Sequence, residues 1–246
     1  MDLRERPAAD FQRHPWETAR AKFVARLLRD HHLLPGAKRV LDVGAGDAWL
    51  AGRLAEANRE AEFVCWDSFY TGEDIEAISR ANISAQTAAP GGTFDLATAL
   101  DVLEHVDDDA QFLAAIRERV RPAGTLLITV PAHPLLWTRH DELLEHRRRY
   151  TAQALRTLIS SADLQWIGGG SFFHSLLAPR ALAAVKERLR SKRPSVTELG
   201  EWRASSVVTR AVLAALAIDN EISRLAARVS VPLPGLSLWA LCRRPS

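Results

Sequence analysis

The chain has 246 residues, with 32 Lys plus Arg against 30 Asp plus Glu. A length of about 250 residues fits one α/β domain with elaborations, or two small domains, and buries a full core without staples. Apolar residues make up 47% and charged residues 25%, which excludes a disordered, fibrous or transmembrane class.

The net charge of +2 hides a split. Residues 1–130 carry 15 basic and 21 acidic side chains, a net of −6, whereas 131–246 carry 17 and 9, a net of +8. Such asymmetry points to an acidic partner for the basic half. Cys65 and Cys242, far apart in apolar runs, read as buried thiols rather than a disulfide or metal framework. The start, Met-Asp-Leu-Arg-Glu-Arg, has no apolar signal region, so a cytoplasmic location is expected. The longest apolar run in the second half, 211–218, is far short of the ~20 residues of a membrane span.

In chain order, residues 1–15 are polar and expected to be loosely ordered. A helix follows at 16–31, where Phe23, Val24, Leu27 and Leu28 recur at helical spacing and Pro35-Gly36 marks the end. A strand at Arg39–Val43 runs into Gly44-Ala45-Gly46 and a helix at 47–58. Strand Glu62–Trp66, a helix at 73–81, a weak strand at 83–87 and strand Phe94–Leu100 continue the alternation. A helix at 108–120 is broken by Pro122-Ala123-Gly124, and a β-branched strand at 125–130 stops at Pro131. Residues 131–150 form a long polar and aromatic loop. Thr151 caps a helix over Ala152–Ser161, and a strand follows at 164–168. Helices at 174–190 and 205–229, joined by a polar link around Pro194, precede a last strand at 236–242. Alternating strands and helices predict a doubly wound α/β fold with a mostly parallel, seven-stranded sheet and a helical lid inserted before the last strand. The expected divisions are a cap helix (1–34), a nucleotide-binding core (35–170), a helical lid (171–230) and the last strand of the core (231–246).

The strongest local signal is Val40-Leu41-Asp42-Val43-Gly44-Ala45-Gly46-Asp47. Strand, glycine turn and helix in that order make a nucleotide crevice at the carboxyl edge of a parallel sheet. Gly44 and Gly46 allow a tight turn and close approach to a ligand, and the helix N-terminus favours an anionic group. Asp67, 21 residues after Gly46 at the end of the next strand, stands where an acid meets ribose hydroxyls. A dinucleotide site wants a third glycine where this chain has Trp49. A short-chain dehydrogenase needs Tyr followed four later by Lys, but Tyr70 and Tyr150 are followed by Asp74 and Ala154. A Gly-Lys-Ser/Thr loop is missing, which excludes a P-loop.

These residues resemble the class I S-adenosylmethionine-dependent methyltransferases, whose acid-x-Gly-x-Gly loop is matched by Asp42, Gly44 and Gly46. The resemblance runs on through Phe94-Asp95-Leu96, Asp101-Val102-Leu103-Glu104-His105-Val106 and Arg121-Pro122-Ala123-Gly124, where Ala123 replaces a usual glycine. It covers about residues 16–170 and the last strand. It implies S-adenosyl-L-methionine as cofactor, held by Asp42, Gly44, Ala45, Gly46, Asp67, Ser68, Leu100 and Asp101. The family's frequent acid after the third strand is replaced by Ala85-Gln86-Thr87-Ala88-Ala89, which leaves backbone groups or Gln86 for adenine. The stretch from Val130 to Tyr150 is similar to the extended loop of a subgroup associated with glycan and natural-product biosynthesis.

Methyl transfer from a sulfonium is mainly a positioning problem, and a hydroxyl or ammonium acceptor must also lose a proton, a task that suits His near neutral pH. His133, His140, His146 and Tyr150 are the expected catalytic residues. Asp101, Glu104 and His105 are further candidates beside the transferred methyl. Trp16, Arg20, Trp137, Asp141, Arg147 and Arg148 are expected to bind the acceptor, and the run Arg147-Arg148-Arg149 can offer planar forks to phosphate or carboxylate. His140, Asp141, His146 and His133 match no zinc spacing, so no metal is expected. The basic helix around 181–190 is open to three readings: lid, dimer face or peripheral membrane contact. The leading expectation is methylation of an O- or N-acceptor on a sugar, glycan precursor or specialised metabolite, with an acidic or phosphate-bearing acceptor fitting the basic half. A nucleic-acid methyltransferase and a non-catalytic binder of the cofactor are the rivals.

Overall fold

The computed structural model describes residues 13–189, 202, 204–229 and 231–246. The expected loose start, up to residue 12, and the link around Pro194 lie outside the described residues. Helix α1 (Pro15–Asp30) opens with Pro15 in its first turn, and the His14 ring accepts from the Trp16 N–H. Then come β1 (Arg39–Val43), α2 (Trp49–Ala57), β2 (Glu62–Trp66), α3 (Gly72–Ile78), β3 (Ile83–Gln86), β4 (Phe94–Leu100), α4 (Asp109–Arg119) and β5 (Val120–Pro131). A 3-10 turn (Pro134–Leu136) and a short α5 (Arg139–Leu143) interrupt the expected loop, followed by α6 (Ala152–Ser161), β6 (Gln165–Phe172), α7 (Leu177–Leu189), α8 (Ser206–Arg228) and β7 (Ser237–Arg243).

The sheet has the order β3-β2-β1-β4-β5-β7-β6. Its first five strands are mutually parallel, whereas β7 runs antiparallel to both neighbours. This is the expected doubly wound, mostly parallel seven-stranded sheet, with helices inserted before the last strand. Alternate residues of each strand enter opposite cores, as period-two geometry requires. Val40 and Phe63 join the side covered by α1, α2 and α8, while Leu41 and Val64 join the side covered by α4 and α6. Cys65 and Cys242 are buried free thiols in these two separate cores.

Several boundaries differ from expectation. Strand β5 begins at Val120 rather than 125, because Val120 pairs with Phe94 across a register shift that accommodates the Pro122 turn. Ala123, in the place of a usual glycine, takes φ +59°. Strand β6 runs on to Phe172 because its glycines pair with Trp239 and its neighbours on β7. A Cβ at Gly169 would fall 2.0 Å from the Trp166 ring, so only glycine fits there. The second inserted helix is a structural layer. Asn220 donates to the Ala19 carbonyl at 2.8 Å, and Arg224 pairs with Asp30 at 2.5 Å, which bolts α8 onto α1. Among the described residues no helix is long and apolar enough to cross a membrane.

The topology places the site. The chain leaves β1 in one direction and enters β4 in the other, so a crevice opens beyond their carboxyl ends.

Candidate active site

A cavity of about 750 Å³ fills this crevice, within the size range of small-molecule sites. One end is built by the glycine loop. Gly44 and Gly46 adopt φ of +62° and +55°, where a side chain is strained. The Gly44 N–H donates to the Trp66 carbonyl at 2.7 Å, and a Cβ on Gly44 would fall 2.6 Å from Val102. Asp67 ties the loop to β2, since its carboxylate accepts from the Gly46 N–H and the Phe69 N–H, both at 3.0 Å. Asp42 lies buried beneath, accepting from the Thr98 hydroxyl at 2.6 Å. Burial pushes its carboxyl up to about 6, against the pull of that hydrogen bond.

Asp101 follows β4 with φ +56°. Its carboxylate accepts from the Thr129 hydroxyl at 2.9 Å and pairs with Arg20 of α1. Arg20 in turn lies over the Trp16 ring, 4.3 Å from its centroid. Asp42, Gly44, Ala45, Asp67, Ser68, Leu100 and Asp101 all line the cavity, as do Trp16 and Arg20. Gly46 acts through its N–H to Asp67. Gln86 is not among the lining residues, and its amide donates to the Ala88 carbonyl at 2.7 Å. Beside the loop the walls are Trp66, Phe69, Val102 and Phe112. Glycine turn, rim acid and apolar wall together fit a nucleoside-bearing cofactor such as S-adenosylmethionine.

The other end is built from α5, its following loop and α7: His140, Leu144, His146, Arg149 and Arg180 line it with Glu104 and His105. Behind this wall Asp141 is fully buried. Its carboxylate meets five donors: His146 Nδ1 at 3.0 Å, Arg149 Nε at 2.8 Å, Arg180 Nη2 at 2.6 Å, the Thr138 N–H at 2.9 Å and the Thr138 hydroxyl at 3.4 Å. Burial opposes the Asp141 charge, but His146, Arg149, Thr138 and Arg180 outweigh it and hold the carboxyl well below the usual range. Thr138 and Asp141 form a capping box, which is why the short α5 exists. His140 is pulled down to about 4 by burial, with Arg180 adding to the effect, and so stays neutral near pH 7.

Glu104 is fully buried, and neither carboxyl oxygen has a hydrogen-bond partner among the described residues. Burial first, and then the Asp101 charge, push its carboxyl well above the usual range. The His105 and His146 rings meet edge-on at 4.8 Å.

Other expected residues stand elsewhere. His133 takes φ +59° and does not line the cavity. Tyr150 is buried with its hydroxyl 2.8 Å from Asp109 and 3.1 Å from the Leu103 carbonyl, and burial pushes the phenol up. Trp137 caps the 3-10 turn. Arg147 is half exposed and pairs with Asp107 at 3.2 Å, while Arg148 pairs with Asp109 at 3.1 Å and donates to the Val106 and Asp107 carbonyls. None of these five lines the cavity. Of the arginine run only Arg149 lines it, and Arg180 does so without having been singled out. The signal for Arg180 was a lone cation near the start of an otherwise apolar run, Leu176 to Val185.

A family model described as a methyltransferase domain matches residues 12–167. The ubiquinone biosynthesis O-methyltransferase of Methylococcus capsulatus is 31% identical over 113 residues, covering 42% of this chain and 47% of that protein. The mitochondrial one of Schizosaccharomyces pombe is 24% identical over 133 residues, covering 50% and 48% respectively. The chain thus spans about half the length of the relatives it matches. A SAM-dependent methyltransferase from Archaeoglobus fulgidus shares the fold with a TM-score of 0.52 at 16% identity, covering 93% of this chain and 97% of that one. StiE O-MT does so with a TM-score of 0.54 at 14% identity, covering 93% and 75%. Glycine loop, sheet order and family match agree: the chain belongs to the methyltransferase-domain family and has its class I fold, and the methyl donor of that family is S-adenosylmethionine.

Proposed function

We propose that this chain methylates a hydroxyl oxygen of a small molecule, in the sugar, glycan-precursor or specialised-metabolite class. The observation that carries the reading is the pair formed by His146 and buried Asp141, set in the wall of the same cavity as the glycine loop. The O-methyltransferase names of the relatives favour oxygen over nitrogen. Bound at the loop end, S-adenosylmethionine supplies an electrophilic methyl group on a sulfonium.

Gly44, Ala45, Gly46, Ser68 and Leu100 would hold the cofactor by backbone and surface, Asp67 by its ribose hydroxyls, and Asp101 with Asp42 by its amino end. Asp141 accepts the His146 Nδ1–H, which fixes the tautomer and leaves Nε2 free to take the acceptor's hydroxyl proton. Neutral His140 adds no competing charge. Apolar Leu50, Leu100, Val102, Phe112, Leu144 and Leu236 are among the residues that line the cavity. His146 therefore takes the catalytic role rather than His133 or Tyr150. In this reading α1 caps the cofactor core, α7 roofs the acceptor end through Arg180, and β7 completes the sheet.

His146→Ala should lower kcat toward phenolic or sugar hydroxyls by roughly 10²–10⁴-fold. Affinity for S-adenosylhomocysteine, measured by calorimetry, should stay within about twofold. An unchanged kcat would remove His146 from the mechanism.

A further inference from the structure

We propose that the acceptor carries an anionic group, a carboxylate or a phosphate, bound by Arg180 of α7 with Arg149 beside it. This rests on reading the far end of the cavity as the acceptor site.

The argument is one of charge balance in a desolvated place. Arg149 and Arg180 have side-chain exposures of 5% and 16%, and both share one carboxylate, that of fully buried Asp141. The other acid lining this end is Glu104, fully buried, with neither carboxyl oxygen hydrogen-bonded among the described residues and its carboxyl pushed well above the usual range by burial. His140 is neutral near pH 7. Toward the cofactor end, Asp101 is already matched by Arg20, and Glu17 by Arg13. Glu187 acts on Arg180 from outside the cavity lining, and its carboxylate accepts from the Arg139 N–H at 2.9 Å. Two largely buried guanidiniums thus share the single carboxylate of Asp141 at this end, and charges held that deep gain from a further counter-charge.

A second observation is independent of this count. Arg180 has spent Nη2 on Asp141, but its Nε is buried with no hydrogen-bond partner among the described residues. A buried donor in a cavity wall calls for an acceptor from the ligand. Guanidinium forks match carboxylate and phosphate oxygens in both geometry and charge. The basic excess of the second half therefore reaches the cavity through Arg149 and Arg180, while Arg147 and Arg148 are tied to Asp107 and Asp109 at the surface.

The test is calorimetry on the full chain saturated with S-adenosylhomocysteine, which fills the cofactor end first. Benzoate, phenyl phosphate and neutral benzamide are the probes. At least one anion should bind roughly tenfold or more tighter than benzamide, and the stronger of the two names the group. Arg180→Gln should erase that preference, Arg180→Lys should keep part of it, and Arg147→Glu should leave it intact. S-adenosylhomocysteine affinity should not change in any of the three. Equal binding of benzamide, no binding by either anion, or a preference that survives Arg180→Gln would overturn the proposal. So would loss of S-adenosylhomocysteine affinity in Arg180→Gln, which would reassign Arg180 to the cofactor. Failure of His146→Ala to lower kcat refutes the base instead and leaves this charge preference standing.

Discussion

Asp141→Asn keeps the size of the side chain and removes its charge. The carboxylate it replaces is fully buried and receives Arg149 Nε at 2.8 Å and Arg180 Nη2 at 2.6 Å. Neither guanidinium can move to water cheaply, since their side chains are only 5% and 16% exposed. Breaking a buried pair from one side costs about 3–5 kcal/mol, because the remaining charges stay buried without compensation. For a chain of this length that corresponds to a Tm lowered by roughly 6–20 °C. Urea unfolding followed by far-UV circular dichroism measures the difference. Asp107→Asn is the control, because Asp107 is 88% exposed and pairs with Arg147 only at the surface; its cost should stay below about 1 kcal/mol. The native Asp141 carboxyl is held below its unfolded value of about 3.9. Its contribution is therefore fully present above that pH and is lost as pH falls below about 4 toward the native value. The gap between wild type and variant should hold from pH 8 to about pH 5 and narrow below pH 4. A variant within about 1 kcal/mol of wild type at pH 7 would refute the buried-pair account.

Gly44→Ala places a methyl group 2.6 Å from Val102 on a backbone with φ +62°, so the loop must shift; affinity for S-adenosylhomocysteine should fall roughly tenfold or more by calorimetry, and an unchanged affinity would show that the loop does not hold the cofactor. Glu104→Gln tests the buried acid through the pH slope of stability. The native Glu104 carboxyl is raised, so the unfolded chain gives up its proton first and wild-type stability declines as pH rises from about 4.3 toward the native value. The variant lacks this term, and its stability relative to wild type should rise with pH by at most about 1.4 kcal/mol per unit; a gap that stays flat from pH 4.5 to 8 would show that Glu104 ionises freely.

Much of the cofactor end is local in sequence. Val40 to Asp47 carries a strand, a glycine turn and a helix start within eight residues, and Asp67 follows at the end of the next strand, so the crevice is written into short-range order. The acceptor end is different. Arg147, Arg148 and Arg149 are consecutive and chemically identical, yet only Arg149 reaches the cavity. Just after the run Tyr150 bridges to Ala132, next to the end of β5, and loop residues have no periodicity from which the direction of each side chain can be read. Tyr150 has the right chemistry for a site and is buried against Leu103 and Asp109 instead. Helix α8 shows the periodicity of an amphipathic helix, but whether it roofs the pocket or packs on α1 depends on Asn220 meeting Ala19 across 201 positions.

By itself, then, the sequence determined the alternating architecture, the glycine loop and its acids, and the methyltransferase resemblance, because each depends on residues a few positions apart. Only the tertiary structure decided which histidines and which arginines stand in the cavity wall. Those assignments hang on one buried carboxylate, Asp141, that gathers His146, Arg149 and Arg180, the last of them from 39 residues away. A charge buried that deeply must recruit its partners wherever the fold brings them, and no local pattern records where they come from.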